Sequence, residues 1–359
     1  MTETPAGALL SCRNLWKVFG PRPGWYFDTA GYRIDPEALA ERLRREGHIP
    51  AVADASFDVQ AGEIFVIMGL SGSGKSTLVR CLSRLLDVEH GSMSFEGVDL
   101  RAVSGRELTE IRRRKMGMVF QSFGLLPHLT ALENVAFPLK LRGMARAARE
   151  ARAQEMLELV ELGGRAGALP SELSGGQQQR IGIARSLAPD PDLWFLDEPF
   201  SALDPLIRRQ MQDEFLRLQR QLKKTIVFIT HDIMEACRLA DRIALMRGGR
   251  IIQIGTPAEI LLSPADSYVA EFTADVALSR AIRLGDLAVT AVPGEAPAGP
   301  ALNPRAPIET LLPEIAAGQK RFAVEAAPGQ PALVLEAEAV LAVLRRDAGP
   351  DAGCESGPR

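Results

Sequence analysis

Gly69-Leu70-Ser71-Gly72-Ser73-Gly74-Lys75-Ser76-Thr77 is the stretch that decides how this chain is read. It fits G-x-x-x-x-G-K-[ST], the phosphate-cradling P-loop. Ile64 to Met68, just upstream, is an apolar run that reads as a buried strand. Leu78 to Leu82, just downstream, reads as the continuing helix. Strand, glycine turn and helix start are the context the motif requires. Glycines let successive backbone N–H groups converge on an anion, and the helix N-terminus adds partial positive charge. The cradle is thus Gly69, Leu70, Ser71, Gly72, Ser73, Gly74 and Thr77. Lys75 is placed to reach the β- and γ-phosphates, and Ser76 to hold Mg²⁺ through its hydroxyl. The rival is a glycine-rich loop that binds nothing; the flanking strand and helix argue against it.

A second element sharpens this. Leu193-Trp194-Phe195-Leu196 is a buried strand with Asp197-Glu198 at its end. Asp197 is placed to bind the magnesium shell, and Glu198 to orient or deprotonate an attacking water. An acidic turn after a buried strand is the plainer alternative, and the P-loop upstream argues against it.

Composition narrows the class. A net charge of -3 argues against a nucleic-acid footprint over the whole protein. No apolar run approaches the ~18–20 residues of a membrane helix. Met1 to Cys12 lacks a charged leader followed by an apolar stretch, so no secretory signal is expected. Cys12, Cys81, Cys237 and Cys354 are scattered without a C-x-x-C, which suits buried or incidental thiols in a reducing cytosol. Service to a membrane would then come from the cytosolic side, by docking.

Taken in order, residues 8–19 read as a first strand. Phe19, just before Gly20, is an aromatic that either stacks on a base or belongs to a core or edge. Residues 21–50 form an excursion. Asp35 caps a helix there, with Pro36 at its first position and Gly47 past its end. Its body, Ala38 to Glu46, is charged on most faces and is expected to be a solvated surface feature. Ala51 to Val59 reads as the second strand. Gly91 to Gly97 suits an antiparallel edge hairpin, and Glu107 to Lys115 a helix. Met116 to Phe120 is a strand ending at Gln121. Helices come next at 132–141 and 145–162, and another after Leu173-Ser174-Gly175-Gly176-Gln177. Pro205 starts a helix to about Leu222, and Thr225 to Ile229 is a strand ending at Thr230-His231-Asp232. Ile243 to Met246 and Arg250 to Ile254 make a hairpin through Gly248-Gly249. Alternation of this kind gives an α/β core. From about Val276 the composition shifts, and Val292 to Pro307 reads as a linker or long loop. Residues 308–346 read as helix, strand, strand, helix. Residues 347–359 are expected to be a disordered tail.

Leu173-Ser174-Gly175-Gly176-Gln177, between a P-loop and an Asp-Glu strand, is the signature of ATP-binding-cassette (ABC) ATPases. From about residue 8 to 275 the chain resembles that family. The resemblance implies a RecA-like P-loop core with an antiparallel β subdomain and a helical subdomain. It implies ATP and Mg²⁺ as cofactors. Phe19 is then similar to the adenine-stacking aromatic. Gln121 resembles the Q-loop glutamine that senses Mg²⁺ and the γ-phosphate beside the transporter-docking groove. Ser201 to Asp204 resembles the D-loop, and His231 the switch histidine on the γ-phosphate. In this family each ATP lies between one subunit's P-loop and the other's signature, so Ser174, Gly175, Gly176 and Gln177 belong to the partner's nucleotide in a head-to-tail homodimer.

Within the family, the chain looks most like the ATPase subunit of glycine betaine/proline (quaternary-amine) importers. The stretches carrying this are Gly62 to Thr77, Met118 to Phe123, Phe200 to Arg208 and Thr225 to Asp232, with the excursion at 21–50. The implied partners are integral membrane permease subunits and, indirectly, an extracytoplasmic substrate-binding protein. The implied location is peripheral, on the cytoplasmic face of the inner membrane. Two alternatives stay open: an importer ATPase for another solute such as an amino acid or polyamine, or a soluble ABC ATPase of translation or DNA repair. The second usually has two cassettes or a coiled-coil insertion, and this chain has one cassette and no sustained heptads. Members of the subfamily often end in two CBS repeats. Residues 276–346 form at most a small α+β domain resembling one degenerate CBS repeat, for sensing, packing or dimer contact.

Overall fold

The computed structural model describes residues 7–29, 35–120, 124–201, 203–291, 299–326 and 331–347. The chain divides into two compact units: Met1–Asp232 with Leu239–Ile254, and Ile233–Arg238 with Gly255–Arg359. Strands of the first unit, in chain order, are β1 (Ala8–Phe19), β2 (Ile49–Gln60), β3 (Ile64–Met68), β4 (His90–Phe95), β5 (Val98–Asp99), β6 (Met116–Val119), β7 (Leu193–Asp197), β8 (Thr225–Thr230), β9 (Arg242–Arg247) and β10 (Arg250–Gly255).

Among the described residues, six strands form one sheet in the order β10-β9-β3-β8-β7-β6. Pairing from β9 through β3, β8 and β7 to β6 is parallel throughout. Every residue of β3, β7 and β8 is buried, as their continuous apolar runs require. Parallel strands covered on both faces read this way, without alternation. Because they run in one direction, their carboxyl ends share one edge, where open α/β sheets place ligands.

A second sheet, β2-β1-β4-β5, is antiparallel. It closes on the first through a common apolar core that includes Leu10, Val59, Phe65, Ile67, Leu78 and Phe95. Phe57 and Phe65 stack there with ring centroids 4.9 Å apart.

The helices of this unit are α1 (Trp25–Thr29), α2 (Pro36–Arg45), α3 (Lys75–Leu82), α4 (Gly105–Lys115), α5 (Ala131–Leu141), α6 (Arg146–Leu159), α7 (Gly175–Leu187) and α8 (Pro205–Leu222). The trio α5, α6 and α7 pack on one another as a helical subdomain. Glu133 and Thr130 close a capping box at the start of α5.

The excursion differs from its sequence expectation. Asp35 does cap α2, accepting from the Ala38 N–H at 2.9 Å. Leu39, Ala40 and Leu43, however, are buried, in a cluster with Trp16, Val18, Tyr26 and Ala53. Positions i, i+1 and i+4 lie on one helix face, and that face is apolar beneath the charges. The segment is a packed element with one solvated side. Residues 30–34 lie outside the described residues.

The second unit begins earlier than the sequence boundary at 275 suggests. Cys237, Ala258 and Leu261 share a core with Val276, Ile282, Ile308, Phe322, Leu335 and Val340. The helix Pro257–Leu262 therefore packs with the C-terminal elements. Val289–Thr290, Leu333–Glu336 and Arg321–Val324 form an antiparallel three-stranded sheet, and helix Ala337–Asp347 completes an α+β unit. The loop expected at 292–307 is partly tied down: the Leu302 N–H donates to the Ala323 carbonyl at 2.9 Å. Residues 292–298, and 348–359 of the expected disordered tail, lie outside the described residues.

Candidate nucleotide site

The carboxyl ends of three adjacent strands bring the chemistry together. β3 delivers the glycine loop, β7 ends at Asp197 with Glu198 next, and β8 ends at Thr230 with His231 next. Glycine is required where the loop passes close to other backbone. A Cβ on Gly74 would lie 2.0 Å from the Ala51 carbonyl oxygen, and one on Gly69 2.2 Å from that of Met246. Both glycines also have positive φ.

Ser71, Gly72, Gly74, Lys75, Ser76, Thr77 and Glu198 line one cavity of about 530 Å³. Lys75 is buried and points back along the loop, its Nζ donating to the carbonyls of Gly69 at 2.8 Å and Leu70 at 3.1 Å. Burial lowers its pKa, while Glu198 and Asp197 oppose that fall. Ser73 Oγ is buried without a hydrogen-bond partner among the described residues.

Ser76 Oγ donates to Asp197 Oδ1 at 3.0 Å, which puts two hard oxygen donors side by side. Burial raises the Asp197 pKa; the Ser76 hydroxyl, Arg80 and Lys75 pull it down. Magnesium usually takes one or two protein oxygens and completes its shell with water and substrate phosphates. This pair suits it. No cluster of three His, Cys, Asp or Glu able to cage a metal occurs among the described residues.

Glu198 sits in the left-handed region at φ 46°, uncommon for a residue with a Cβ. Its N–H donates to the Ile229 carbonyl at 3.1 Å, and its carbonyl accepts from Ser201 Oγ at 3.0 Å. Those bonds hold a conformation that costs of order 1–3 kcal/mol. His231 Nδ1 lies 3.1 Å from Glu198 Oε2.

Phe19 ends β1, 42% exposed, beside its strand partner Ile49, which does line the cavity. The Lys17 ammonium sits 5.2 Å from its ring centre. Trp16 is fully buried and offers no face to a base.

Ser174 is the N-cap of α7, in a box with Gln177; Ser174 and Gly175 are exposed. None of Ser174, Gly175, Gly176 and Gln177 lines the Lys75 cavity. Asp204 caps α8, accepting from the N–H groups of Leu206 and Ile207, each at 3.1 Å. Gln121 lies outside the described residues, as does Ala202 in the D-loop stretch.

Sequence reasoning missed one wall of the cavity. Arg44, His48, Ile49, Pro50 and Ala51 line it from the excursion and the start of β2, and Gly248 and Gly249 from the β9–β10 turn. The signal available was the Leu39/Ala40/Leu43 spacing, which marks α2 as a docked helix.

A P-loop, a strand-end Asp-Glu pair and a strand-end histidine on one parallel-sheet edge, beside an antiparallel sheet and a helical subdomain, define a P-loop ATPase of the cassette architecture. Residues 52–201 match the ABC transporter family. Trimethylamine N-oxide transport system ATP-binding protein TmoW of Ruegeria pomeroyi is 58% identical over 287 residues, covering 80% of this chain and 83% of that protein. Glycine betaine/proline betaine transport system ATP-binding protein ProV of Salmonella typhimurium is 46% identical over 305 residues, 85% of this chain and 76% of the relative. The dimeric post-hydrolysis structure of the ATP-binding cassette MJ0796 with ADP and Pi superposes with a TM-score of 0.57 at 33% identity, covering 69% of this chain and 98% of that one. The chain belongs to the ABC transporter ATP-binding proteins, ATPases coupled to transport. No helix among the described residues is long and apolar enough to cross a membrane.

Proposed function

We propose that this chain energises import of a small zwitterion with a methylated nitrogen, by hydrolysing ATP between two copies of itself. Lys75 and the loop N–H groups grip the phosphates. Phe19 stacks on the adenine. Glu198 takes a proton from water as that oxygen bonds to the γ-phosphorus and the bridging oxygen leaves with ADP. His231 holds the Glu198 carboxylate and reaches the γ-phosphate. Ser76, Asp197 and Gln121 would hold Mg²⁺, which when bound neutralises charge on the β- and γ-oxygens. Ser174, Gly175, Gly176 and Gln177 serve the partner's nucleotide, and Asp204 lies at the dimer contact. Differential affinity of the closed pair for ATP over its products drives the two states. A membrane permease rides on this dimer at the cytoplasmic face, and an extracytoplasmic binding protein delivers the solute.

One observation carries this reading: Lys75, Ser76, Asp197, Glu198 and His231 meet at one sheet edge, while the signature stands exposed on another helix start. Such a site is complete only when a second copy supplies its signature. For the cargo, relatives named for trimethylamine N-oxide transport are 58% and 54% identical, and those named for glycine betaine or its mixtures 46–51% where three-quarters or so of this chain is matched. Both solutes are trimethylated zwitterions. Calorimetry on the cognate binding protein tests the cargo, with trimethylamine N-oxide, glycine betaine, choline, proline and a polyamine as titrants. Binding of a trimethylated solute, and stimulation of ATPase turnover in the reconstituted transporter by that loaded protein, is expected. A binding protein that takes only amino acids or polyamines overturns the assignment.

A further inference from the structure

The helix α2 contributes a cation to the nucleotide cavity that no step above uses. Arg44, in its last turn, lines that cavity together with Gly74, Lys75 and Thr77. Its Nη2 donates to the Gly248 carbonyl at 2.8 Å. The next residue, Gly249, donates its N–H to the Ser73 carbonyl at 3.0 Å, inside the P-loop. A short chain of hydrogen bonds thus ties the arginine to the loop that holds phosphate.

The mounting of α2 is firm. Leu39, Ala40 and Leu43 are buried on one face. Glu37, at the other end of the helix, pairs with Arg250 of β10 at 2.9 Å. Behind Arg44, His48 Nε2 meets the Pro21 carbonyl at 3.0 Å, and its ring lies edge-on to Tyr26, 5.0 Å between centres. Arg44 itself is exposed, and among the described residues no carboxylate pairs with it. A guanidinium has five N–H donors in a planar fork, and the bond to Gly248 leaves others for a phosphate or carboxylate oxygen.

What the P-loop lysine already takes narrows the choice of phosphate. In P-loops the lysine takes the β- and γ-phosphates, and the backbone cradle reaches back to the α-phosphate at the helix start. Arg44 lines the same cavity as Thr77, the cradle residue furthest along that helix start. We propose that Arg44 is a nucleotide-binding residue, its guanidinium directed at the α-phosphate of bound ATP, so that the excursion is part of the nucleotide site. The proposal rests on the reading that this cavity takes ATP.

Equilibrium binding of ATP and of ADP to the full-length protein tests it, with Arg44→Gln and Arg44→Lys. A charge-assisted hydrogen bond lost at a partly exposed site corresponds to about a five- to tenfold loss of affinity. Arg44→Gln should show it equally for ATP and ADP, since both carry the α-phosphate, and Arg44→Lys should recover most of it. In the wild type, ATP and ADP should shield Arg44 from phenylglyoxal, read by peptide mapping. That measurement stands even where the Gln variant folds poorly. Wild-type affinity in Arg44→Gln, or equal modification of Arg44 with and without nucleotide, overturns the proposal. A wild-type protein that binds no ATP, or Lys75→Ala that binds it unimpaired, overturns the cavity assignment itself.

Discussion

Glu198→Gln isolates the basicity of one side chain. Glutamine has the same length, and its Oε1 can still face His231 Nδ1, now 3.1 Å from the Glu198 carboxylate. The left-handed backbone is held by Ile229 and Ser201 through main-chain atoms of Glu198, which the exchange leaves in place. What disappears is a site that can accept a proton from water. A positioned general base contributes roughly two to four decades in rate. At about 1.4 kcal/mol per decade, that is roughly 3–5 kcal/mol of barrier. ATP affinity should hold or improve, because a negative charge facing the cavity is removed. The assay is single-turnover hydrolysis of labelled ATP, run beside nucleotide binding and size-exclusion chromatography with ATP and Mg²⁺. A slow variant that binds ATP and elutes as a dimer is expected. Turnover within tenfold of wild type would show that another group takes the proton.

Asp197→Asn should abolish Mg²⁺-dependent turnover yet leave the nucleotide-free protein as stable as wild type or more so. Burial disfavours the Asp197 carboxylate, so its folded pKa is raised. Such a group lowers stability above its folded pKa, and the deficit fades as pH falls through that value to the unfolded one. Thermal melts at neutral and mildly acidic pH check the sign: the gain from the substitution should shrink as pH falls. Phe19→Ala should weaken ATP binding about fivefold or more, the scale of one base–aromatic stack, measured by calorimetry. An unchanged affinity would mean no stacking, since fully buried Trp16 cannot substitute. Gln177→Glu should keep the cap on α7 and melt no lower than wild type, but weaken ATP-dependent pairing of subunits; light scattering with ATP in the Glu198→Gln background reads this out.

What was legible in the sequence is what is contiguous. The P-loop, Asp197-Glu198 and the Ser174–Gln177 turn are each runs of neighbouring residues, so no fold is needed to place them at a helix start or a strand end. Juxtaposition was not legible. The face Leu39, Ala40 and Leu43 is three apolar residues among Glu37, Glu41, Arg42, Arg44, Arg45 and Glu46, and the charges conceal it. In β1 the strand period itself fails. Register shifts fall between Cys12 and Leu15, between Leu15 and Lys17 and between Lys17 and Val18. Leu15 and Trp16 are consequently both buried, and alternation could not decide which aromatic faces outward. The unit boundary was hidden for a related reason: Ile233–Arg238, which comes directly after the first unit's β8 and its His231 in sequence, packs in the second unit's core.

Among the described capping boxes, the charge of the residue that closes the box sets α7 apart. α4, α5 and the helix Pro257–Leu262 close their capping boxes with Glu107, Glu133 and Glu259, so each first turn carries its own negative charge. α3, which opens at the P-loop, has no acidic residue in its first turn, and neither has α7. α7 still has a complete box, but Gln177 closes it, its Oε1 accepting the Ser174 N–H at 3.0 Å. A neutral amide satisfies the same donor as a carboxylate without cancelling the partial positive charge at the helix end. A free helix start would gain from glutamate at that position, whereas one that must receive a phosphate would lose. In the proposed dimer, which sets this helix start opposite the P-loop across one triphosphate, glutamine at 177 keeps the helix capped without putting a carboxylate beside the phosphate.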